Sequence, residues 1–310
     1  MSALICGSMA YDTIMVFNDK FSNHILPDQV HILNVSFQVP TLRKEFGGCA
    51  GNIAYNLKLL GEEPLPMATV GQDFTPYESW LKKFQIDQRY IKVIPNSYTA
   101  QAYITTDLDD NQITAFHPGA MNYSQESKIS EAKGYRIGMV SPDGREGMLA
   151  HAKQFSETGA SFIFDPGQGL ILFDGEELRL FIKQASWVVV NDYEAQLLQQ
   201  RTGLSPHEIA AQVSGYIVTR GAEGSLIYTP DKRLEIPPVR AQSVLDPTGC
   251  GDAYRAGLLY GLLNEMDWET IGRIASLMGA IKVAHPGTQN HHFTLEEFDD
   301  KFHTEFGWHI

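Results

Sequence analysis

Short apolar runs, each followed by a polar or glycine-containing turn, constrain the fold of this chain most strongly. Such runs end at Cys6, Val140, Phe164, Val190 and Val218. Apolar side chains at successive positions are typical of strands that are buried on both faces of a sheet. Stretches with helical spacing lie between the runs. This alternation predicts an α/β fold with a mostly parallel central sheet and helices on both of its faces.

Two segments of the N-terminal half do not follow this alternation. Residues 30–46 and 100–116 alternate apolar and polar side chains over part of their length, which is typical of strands with one exposed face. Residues 109–111 (Asp-Asp-Asn) predict a hairpin turn within the second segment. We therefore expect a small antiparallel sheet that forms a lid, with its strands inserted at about 12–46 and 97–120.

The composition disfavours several classes of protein. The 310 residues suit one large domain, which we expect to span 1–310. With 24 basic and 37 acidic side chains, the formal net charge is −13, which disfavours nucleic acid and anionic membranes as partners. The cysteines (Cys6, Cys49 and Cys250) form no Cys-x-x-Cys pair, which disfavours a disulfide framework or structural zinc. Since no signal-peptide pattern and no long apolar run is present, we expect a cytoplasmic protein.

The segment DPTGCGD at residues 246–252 is the most distinctive motif of the chain. It places a glycine-rich turn directly before a predicted helix, where unpaired backbone N–H groups and the helix dipole attract an anion. Asp252 falls in the first turn of that helix, where its carboxylate could accept a proton from a substrate hydroxyl. The alternative is an aspartate that caps a helix after an ordinary glycine-rich loop.

Two further motifs follow predicted strands of the central sheet. Asn191 and Glu194 could hold Mg²⁺ directly or through water, or they could form a helix cap with a capping-box glutamate. Residues 219–224 (TRGAEG) could be a glycine turn that approaches phosphates, with Thr219 as a donor, or a plain hairpin. Because open α/β sheets bind ligands at the carboxyl ends of their strands, Asp165, Asn191 and Thr219 are well placed for a site.

A last group of polar and glycine residues lies near the N-terminus. Asp12 follows the first strand, and Gly47, Gly48 and Asn52 surround the start of the first predicted helix. Asp and Asn could bind vicinal hydroxyls while the glycines let a sugar approach the backbone; the alternative is turn chemistry alone. The chain has no Gly-x-x-x-x-Gly-Lys-Ser/Thr motif, which excludes a P-loop kinase, and no Gly-x-Gly-x-x-Gly after the first strand.

Taken together, these motifs resemble those of the ribokinase-like (phosphofructokinase B) family of carbohydrate and nucleoside kinases. The resemblance covers nearly the whole chain and rests on FGGCAGN at 46–52, NDYEA at 191–195 and DPTGCGD at 246–252. With AYD at 10–12 and FHPGAM at 116–121, the chain is most similar to bacterial nucleoside kinases of the adenosine-kinase type. The resemblance implies a three-layer ribokinase-like α/β fold with a β-sheet lid, and transfer of the γ-phosphoryl group of ATP to a primary hydroxyl.

The resemblance also implies a role for each motif residue. By motif position these residues are the base (Asp252), the anion hole (Gly249, Cys250, Gly251), the sugar site (Asp12, Gly47, Gly48, Asn52), the Mg²⁺ and phosphate site (Asn191, Glu194) and the nucleotide site (Thr219, Gly221, Gly224). Glu194 would hold Mg²⁺ through water. Activation by a monovalent cation such as K⁺, which uses the 246–252 loop in some relatives, is left open because Pro247 lacks an N–H and a hydroxyl.

The predicted acceptor is a purine nucleoside such as adenosine, inosine or guanosine, phosphorylated on its 5′-hydroxyl. Phe116, at the end of a lid strand before the turn at Pro118 and Gly119, could stack on a purine base. DPGQ at 165–168 departs from the Asp-x-Asn-x-Arg pattern of many sugar kinases, which disfavours a phosphosugar. A ribose or other sugar kinase of the same fold is the alternative, and a non-catalytic nucleoside- or sugar-binding regulator is the second.

The predicted lid also suggests a quaternary structure. Its alternating strands would expose an apolar face and unpaired strand edges if the lid stood alone. We therefore expect a homodimer that forms through the lid.

Overall fold

The structure is a computed structural model that describes residues 2–25, 34–109 and 111–310. Its strands are β1 (Ser2–Cys6), β2 (Ala10–Val16), β3 (Thr41–Gly47), β4 (Glu63–Val70), β5 (Ile91–Val93), β6 (Ala100–Thr106), β7 (Gln112–His117), β8 (Ile137–Val140), β9 (Phe162–Phe164), β10 (Trp187–Asn191), β11 (Gly215–Thr219), β12 (Ser225–Tyr228) and β13 (Arg233–Ile236). Its α-helices are α1 (Cys49–Leu59), α2 (Thr75–Lys83), α3 (Arg145–Thr158), α4 (Gly175–Gln184), α5 (Asp192–Thr202), α6 (Pro206–Ala210), α7 (Cys250–Leu263), α8 (Trp268–Val283) and α9 (Leu295–Phe306).

The central sheet has the strand order β13-β12-β11-β10-β9-β8-β1-β4-β5. Strands β4, β5 and β8 through β11 run parallel to β1. Within the described residues of this sheet, only the pairings of β11 with β12 and of β12 with β13 are antiparallel. Alternate residues of one strand enter different cores: Val189 packs on one side of the sheet, and Val188 and Val190 pack on the other. Helices cover both cores, so the prediction of a three-layer α/β fold is confirmed.

A second sheet has the order β3-β2-β6-β7. Its outer pairs, β2 with β3 and β6 with β7, are antiparallel as expected, whereas β2 and β6 pair in parallel. The parallel pairing follows from connectivity, because α1, β4 and α2 lie between β2 and β6 in the chain and allow the return crossover.

The strand predicted over 30–46 is shorter in the structure. Residues 41–47 form β3, but residues 34–40 form no strand, while residues 30–33 and Asp110 of the predicted turn lie outside the described residues. The apolar side chains in the segment before β3 take part in aromatic packing. Phe37 packs its ring 4.8 Å from that of Phe17 and 5.1 Å from that of Phe21, centroid to centroid, so the pattern reflects aromatic packing and not strand pairing.

Two helices that begin at glycine turns position the candidate site. Helices α1 and α7 pack against each other beside the central sheet, and each begins directly after a glycine with a left-handed φ, 84° at Gly48 and 80° at Gly249. The described helices fall short of the length and apolar character needed to cross a bilayer.

Candidate active site

The first turns of α1 and α7 bring two predicted site residues into contact. Asn52 on α1 donates a hydrogen bond from Nδ2 to Oδ2 of Asp252 on α7, at 2.8 Å. The two residues are 200 positions apart in the chain, so the fold and not local sequence creates this pair. Burial raises the pKa of Asp252 to about 6, although the bond from Asn52 and the charge of Arg255 both act to lower it. At neutral pH the carboxylate is therefore ionised and can accept a proton.

The glycine turn before α7 presents backbone N–H groups next to Asp252. The N–H of Cys250 donates to the carbonyl of Pro247 at 3.1 Å. The N–H groups of Gly251 and Asp252 lie in the first turn of α7, where no carbonyl one turn back can accept them. Gly249 holds a φ of 80°, and a β-carbon there would lie 3.2 Å from the methyl group of Thr288. This backbone is suited to binding an anion without a cationic side chain.

Asp246 fixes the shape of this turn. Its carboxylate accepts hydrogen bonds from the N–H of Thr248 and the N–H of Gly287, each at 2.9 Å, and lies 3.5 Å from Nη2 of Arg43. Burial opposes ionisation of Asp246, but these bonds outweigh it and lower its pKa. Because Arg43 belongs to β3, the carboxylate also links the small sheet to the turn. Aspartate commonly accepts a hydrogen bond from the N–H two residues later in a turn, so Asp246 and Thr248 could have been predicted as such a pair from sequence.

Asp12 and Phe116 lie on the same face of the small sheet. In the strand register Asp12 is opposite Ala102, and Ala102 is opposite Phe116, and directly opposed residues of a sheet point to one face. Burial raises the pKa of Asp12 to about 6, and the charges of Glu45 and Asp246 add to this shift. Arg43, which is opposite Ile14 on this same face, reaches Asp246, so the face that carries Asp12 is turned toward the loop before α7. Phe116 is 52% exposed, so it does not pack inside the small sheet.

The glycines at the start of α1 make room for these groups. A β-carbon on Gly47 would lie 2.4 Å from Oδ2 of Asp12, and one on Gly48 would lie 2.6 Å from the Cα of Met9. Side chains at either position would displace the carboxylate or the backbone beside it. The structure thus places Gly47 beside Asp12 and Asn52 beside Asp252, while the role of these residues in binding a sugar stays a prediction.

A chain of polar side chains behind the site determines how Asn52 is oriented. The indole N–H of Trp80 donates to Oε1 of Gln289 at 2.9 Å, and Nε2 of Gln289 donates to Oδ1 of Asn52 at 3.0 Å. Because an indole can only donate, the amide of Gln289 has one orientation, and so has that of Asn52. The Asn52 amide must therefore present its NH₂ group to Asp252. Nothing local in the sequence marks Trp80 or Gln289 as part of the site.

The motif at the end of β10 forms a capping box at the start of α5. The N–H of Glu194 donates to Oδ1 of Asn191, and the N–H of Asn191 donates to Oε2 of Glu194, each at 2.8 Å. Arg255 on α7 lies 3.8 Å from Oε2 of Glu194 and donates to Oδ1 of Asp165 at 2.8 Å. This buried ion pair connects the strand ends to α7, one turn beyond Asp252. The sequence analysis missed Arg255, and only the tertiary contact reveals it.

The motif after β11 is a hairpin turn, as its alternative interpretation held. Thr219 pairs with Ser225 at the start of β12, and the turn between them includes Gly221 and Gly224, with φ values of 54° and 81°. A β-carbon on Gly224 would lie 2.1 Å from the carbonyl oxygen of Ile236, whereas Gly221 has open space around it. The turn lies at the same sheet edge as Asn191 and remains open to a ligand.

Direct coordination of a metal ion has little support in the side chains. No group of three or more His, Cys, Asp or Glu residues converges to hold a metal ion in the part of the chain that the structure describes. A divalent ion at this edge would therefore depend on water and on a substrate for most of its ligands.

Comparisons with known proteins agree with the fold and the motifs. The pfkB family carbohydrate kinase pattern matches residues 12–294. A nucleoside kinase of Methanocaldococcus jannaschii is 33% identical over 258 residues, which cover 83% of this chain and 85% of that protein. The structure of Burkholderia thailandensis nucleoside kinase in complex with inosine superposes with a TM-score of 0.91 at 52% identity, over 99% of each chain.

A more distant solved structure gives the same result. The Methanocaldococcus jannaschii nucleoside kinase, described as an archaeal member of the ribokinase family, has a TM-score of 0.89 at 31% identity and covers 98% of each chain. The predicted ribokinase-like fold is therefore confirmed. Because the family pattern spans both glycine turns and Asp252, this chain is a kinase and belongs to the pfkB family of carbohydrate kinases.

Proposed function

We propose that this kinase transfers the γ-phosphoryl group of ATP to the 5′-hydroxyl of a purine nucleoside, with Asp252 as the base. The observation that carries the proposal is the carboxylate of Asp252 beside the free N–H groups at the start of α7, with Asn52 donating to one of its oxygens. The relatives support the acceptor class: the Burkholderia thailandensis nucleoside kinase was solved with inosine and with ADP-inosine.

The chemistry of the transfer follows from this arrangement. Asn52 binds Oδ2 of Asp252, and the carboxylate has further lone pairs that can accept the proton of the acceptor hydroxyl. The oxygen then attacks the γ-phosphorus as the bond to ADP breaks. The turn of Gly249, Cys250 and Gly251 lies where it can stabilise negative charge on the transferred group, which phosphoryl transfer needs more than covalent help.

The sugar site would be formed by Asp12, Gly47, Gly48 and Asn52. Asn52 donates one amide hydrogen to Asp252 and keeps a second for a substrate hydroxyl. It would thereby align the acceptor and the base together. We propose further that residues 1–310 act as one domain in which the small sheet is the lid, excluding water that would otherwise compete as acceptor.

The substrate class can be tested through Phe116. Stacking on a base contributes roughly 1–3 kcal/mol, so Phe116→Ala should lower kcat/KM for adenosine, inosine and guanosine by roughly 10–100-fold and leave that for ribose unchanged. The measurement is coupled ADP release with each acceptor. Val93→Ala is the matched control, because Val93 is an apolar residue that is 53% exposed and lies on the central sheet, away from the face that carries Phe116.

Each other outcome of this assay has a definite meaning. A wild-type enzyme that prefers ribose or another free sugar to every nucleoside would replace our acceptor with the sugar alternative. Nucleoside binding without any ADP release would instead support the binding regulator. Equal losses for ribose and nucleosides in Phe116→Ala would remove the stacking role while keeping the substrate class.

ATP would bind at the carboxyl edge of the sheet, with Thr219, Gly221 and Gly224 lining the nucleotide. Mg²⁺ would be held by Glu194 through water, together with Asn191. The donors fit this role, because both oxygens of Glu194 accept bonds from Asn191 yet keep further lone pairs, and Mg²⁺ usually retains several waters in proteins. When bound, the ion supplies positive charge to the phosphates of ATP.

Replacing Glu194 with glutamine should raise the Mg²⁺ concentration needed for half-maximal turnover several-fold. The amide keeps the size of the side chain but removes the negative charge that attracts a hydrated cation. Glu208→Gln is the control, since Glu208 occupies the same capping-box position in α6, which precedes β11 at the other end of the strand. An unchanged Mg²⁺ dependence in Glu194→Gln would remove Glu194 from the metal site.

We propose that two copies pair through the small sheet to form a homodimer. The face opposite Asp12 carries the exposed side chains of Leu42, Tyr103 and Ile113, and β3 and β7 are the outermost strands of the sheet within the described residues. Sedimentation at micromolar concentration should show twice the chain mass of 34.6 kDa. Ile113→Glu should shift the protein toward monomer, whereas Val93→Glu, at an exposed site on the central sheet, should not. A wild-type protein that sediments only at 34.6 kDa would refute the dimer.

A further inference from the structure

Lys282, in the last turn of α8, is a buried charge that has no role in the site just described. Its side chain is 0% exposed. Its ammonium donates to the backbone carbonyl of Asp246 at 2.7 Å and to that of His285 at 3.2 Å. Among the residues that the structure describes, it forms no ion pair with a carboxylate. A buried charge without a counter-ion is costly, so its retention needs a reason in the surrounding structure.

The surroundings of this ammonium have the character of a cation site. Backbone carbonyls converge on it from two loops, and it lies at the C-terminal end of α8, where the helix dipole favours positive charge. The carbonyl of Val283, also at that end, accepts the N–H groups of Leu245 at 2.9 Å and Asp246 at 3.2 Å. Through these hydrogen bonds, Lys282 holds the carbonyl of Asp246 against the end of α8, and Val283 holds its N–H there.

The contact matters because Asp246 begins the turn that leads to the anion hole. Asp246 also organises the turn through its bonds from Thr248 and Gly287. Moving its carbonyl would displace the backbone of Gly249 to Gly251. Misplacement by about 1 Å at a reacting centre can lower the rate roughly 100-fold. A hydrogen bond that positions Asp246 can therefore affect turnover even though it does not touch the substrate.

We propose that the ammonium of Lys282 is a built-in monovalent cation that holds the anion-hole turn in its active shape and makes K⁺ unnecessary. A free K⁺ ion has the same charge and a similar size, and it would use the same loop carbonyls. Since these carbonyls already bind an ammonium, the residues present do not fit a separate K⁺. Lys282 is therefore a positioning residue, and this role rests on the proposed function.

The test compares wild type with Lys282→Ala, which removes the charge and opens space. Turnover is measured in choline chloride, NaCl, KCl and methylammonium chloride at equal ionic strength. Wild type should stay within about twofold in all four salts. The variant should lose roughly 10–100-fold of kcat in choline with a small change in KM, and KCl or methylammonium should restore it several-fold. Lys301→Ala, an exposed lysine on α9, should behave as wild type.

A second readout does not depend on the acceptor. In the absence of substrates, K⁺ should raise the Tm of Lys282→Ala above its value in choline and leave that of wild type unchanged. If wild type phosphorylates no nucleoside, the proposed function fails. The effect of K⁺ on the Tm of Lys282→Ala would still test the role of Lys282. Where Lys282→Ala does not fold, Lys282→Met keeps the packing, and it should be slow in every salt because no space for a cation remains.

Three results would overturn the proposal. The first is several-fold activation of wild type by K⁺. The second is a folded Lys282→Ala variant with wild-type turnover in choline. The third is a folded, slow Lys282→Ala variant in which no cation changes either kcat or Tm, because a purely structural lysine would give that result.

Discussion

Replacing Asp252 with asparagine is expected to lower kcat by roughly 10²–10⁴-fold while the dissociation constants for nucleoside and ATP change little. The amide has nearly the same shape as the carboxylate, but it cannot accept the proton of the acceptor hydroxyl. Asn52 would also lose its ionic acceptor, although a hydrogen bond to the amide oxygen remains available. Single-turnover kinetics and calorimetric binding measure the two effects separately. Asp300→Asn, an exposed aspartate on α9, is the control.

The pH dependence of the wild type gives a second test of the same role. Because the pKa of Asp252 is raised to about 6, the carboxylate is ionised above that pH and protonated below it. We therefore expect kcat/KM to fall as the pH drops through 6, with a plateau at neutral pH. Asp12 has a pKa of about 6 as well, so substrate binding should weaken over the same range. Turnover of Asp252→Asn within a few-fold of wild type would show that another group is the base.

The second large effect is expected from Gly251→Val, which should lower kcat by about 100-fold or more. Gly251 lies at the exposed start of α7, and a β-carbon there would come within 3.0 Å of Nη1 of Arg255. The branched side chain would occupy the space of the anion and press on the ion pair between Arg255 and Asp165. Steady-state kinetics with saturating ATP measures the loss.

A matched glycine on α8 provides the control for this prediction. A β-carbon on Gly279 meets only the carbonyl oxygen of Cys250, at an ordinary 3.8 Å, so Gly279→Ala should retain wild-type turnover. Thermal unfolding of both variants separates loss of catalysis from loss of the fold. A crystal structure with a phosphate analogue bound away from residues 249–251 would contradict the anion-hole assignment.

The layers of the fold and the two glycine turns could be predicted because their signals are local. Buried strands such as β10 are continuous apolar runs, and the turn before α7 is one short motif. The parallel pairing of β2 with β6 could not be predicted, since it depends on where the intervening elements place the chain. The absence of a strand at residues 34–40 also depends on tertiary packing, here the contact of Phe37 with Phe17 and Phe21.

Some residues of the candidate site are likewise marked by local motifs, whereas others are revealed only by tertiary contacts. Asp252 and Asn52 are marked by the motifs around them, but their mutual hydrogen bond joins positions 200 residues apart. Gln289, Arg255 and Lys282 carry no local pattern that distinguishes them from ordinary polar residues of a helix or loop. Each acquires its role only through a partner that is distant in the chain, so a single sequence gives no means of finding it.

The central position of β1 has a consequence for synthesis on the ribosome. β1 lies between β8 and β4, and Asp252 and Gln289 are translated long after both of these strands. At about 5–20 residues per second, the stretch from residue 140 to residue 289 needs roughly 7–30 seconds. During that time the nascent chain already has α1 but lacks α7, which covers it in the finished protein. Chaperones should therefore bind the growing chain at α1, and enzymatic activity should appear only after the C-terminal segment has left the exit tunnel.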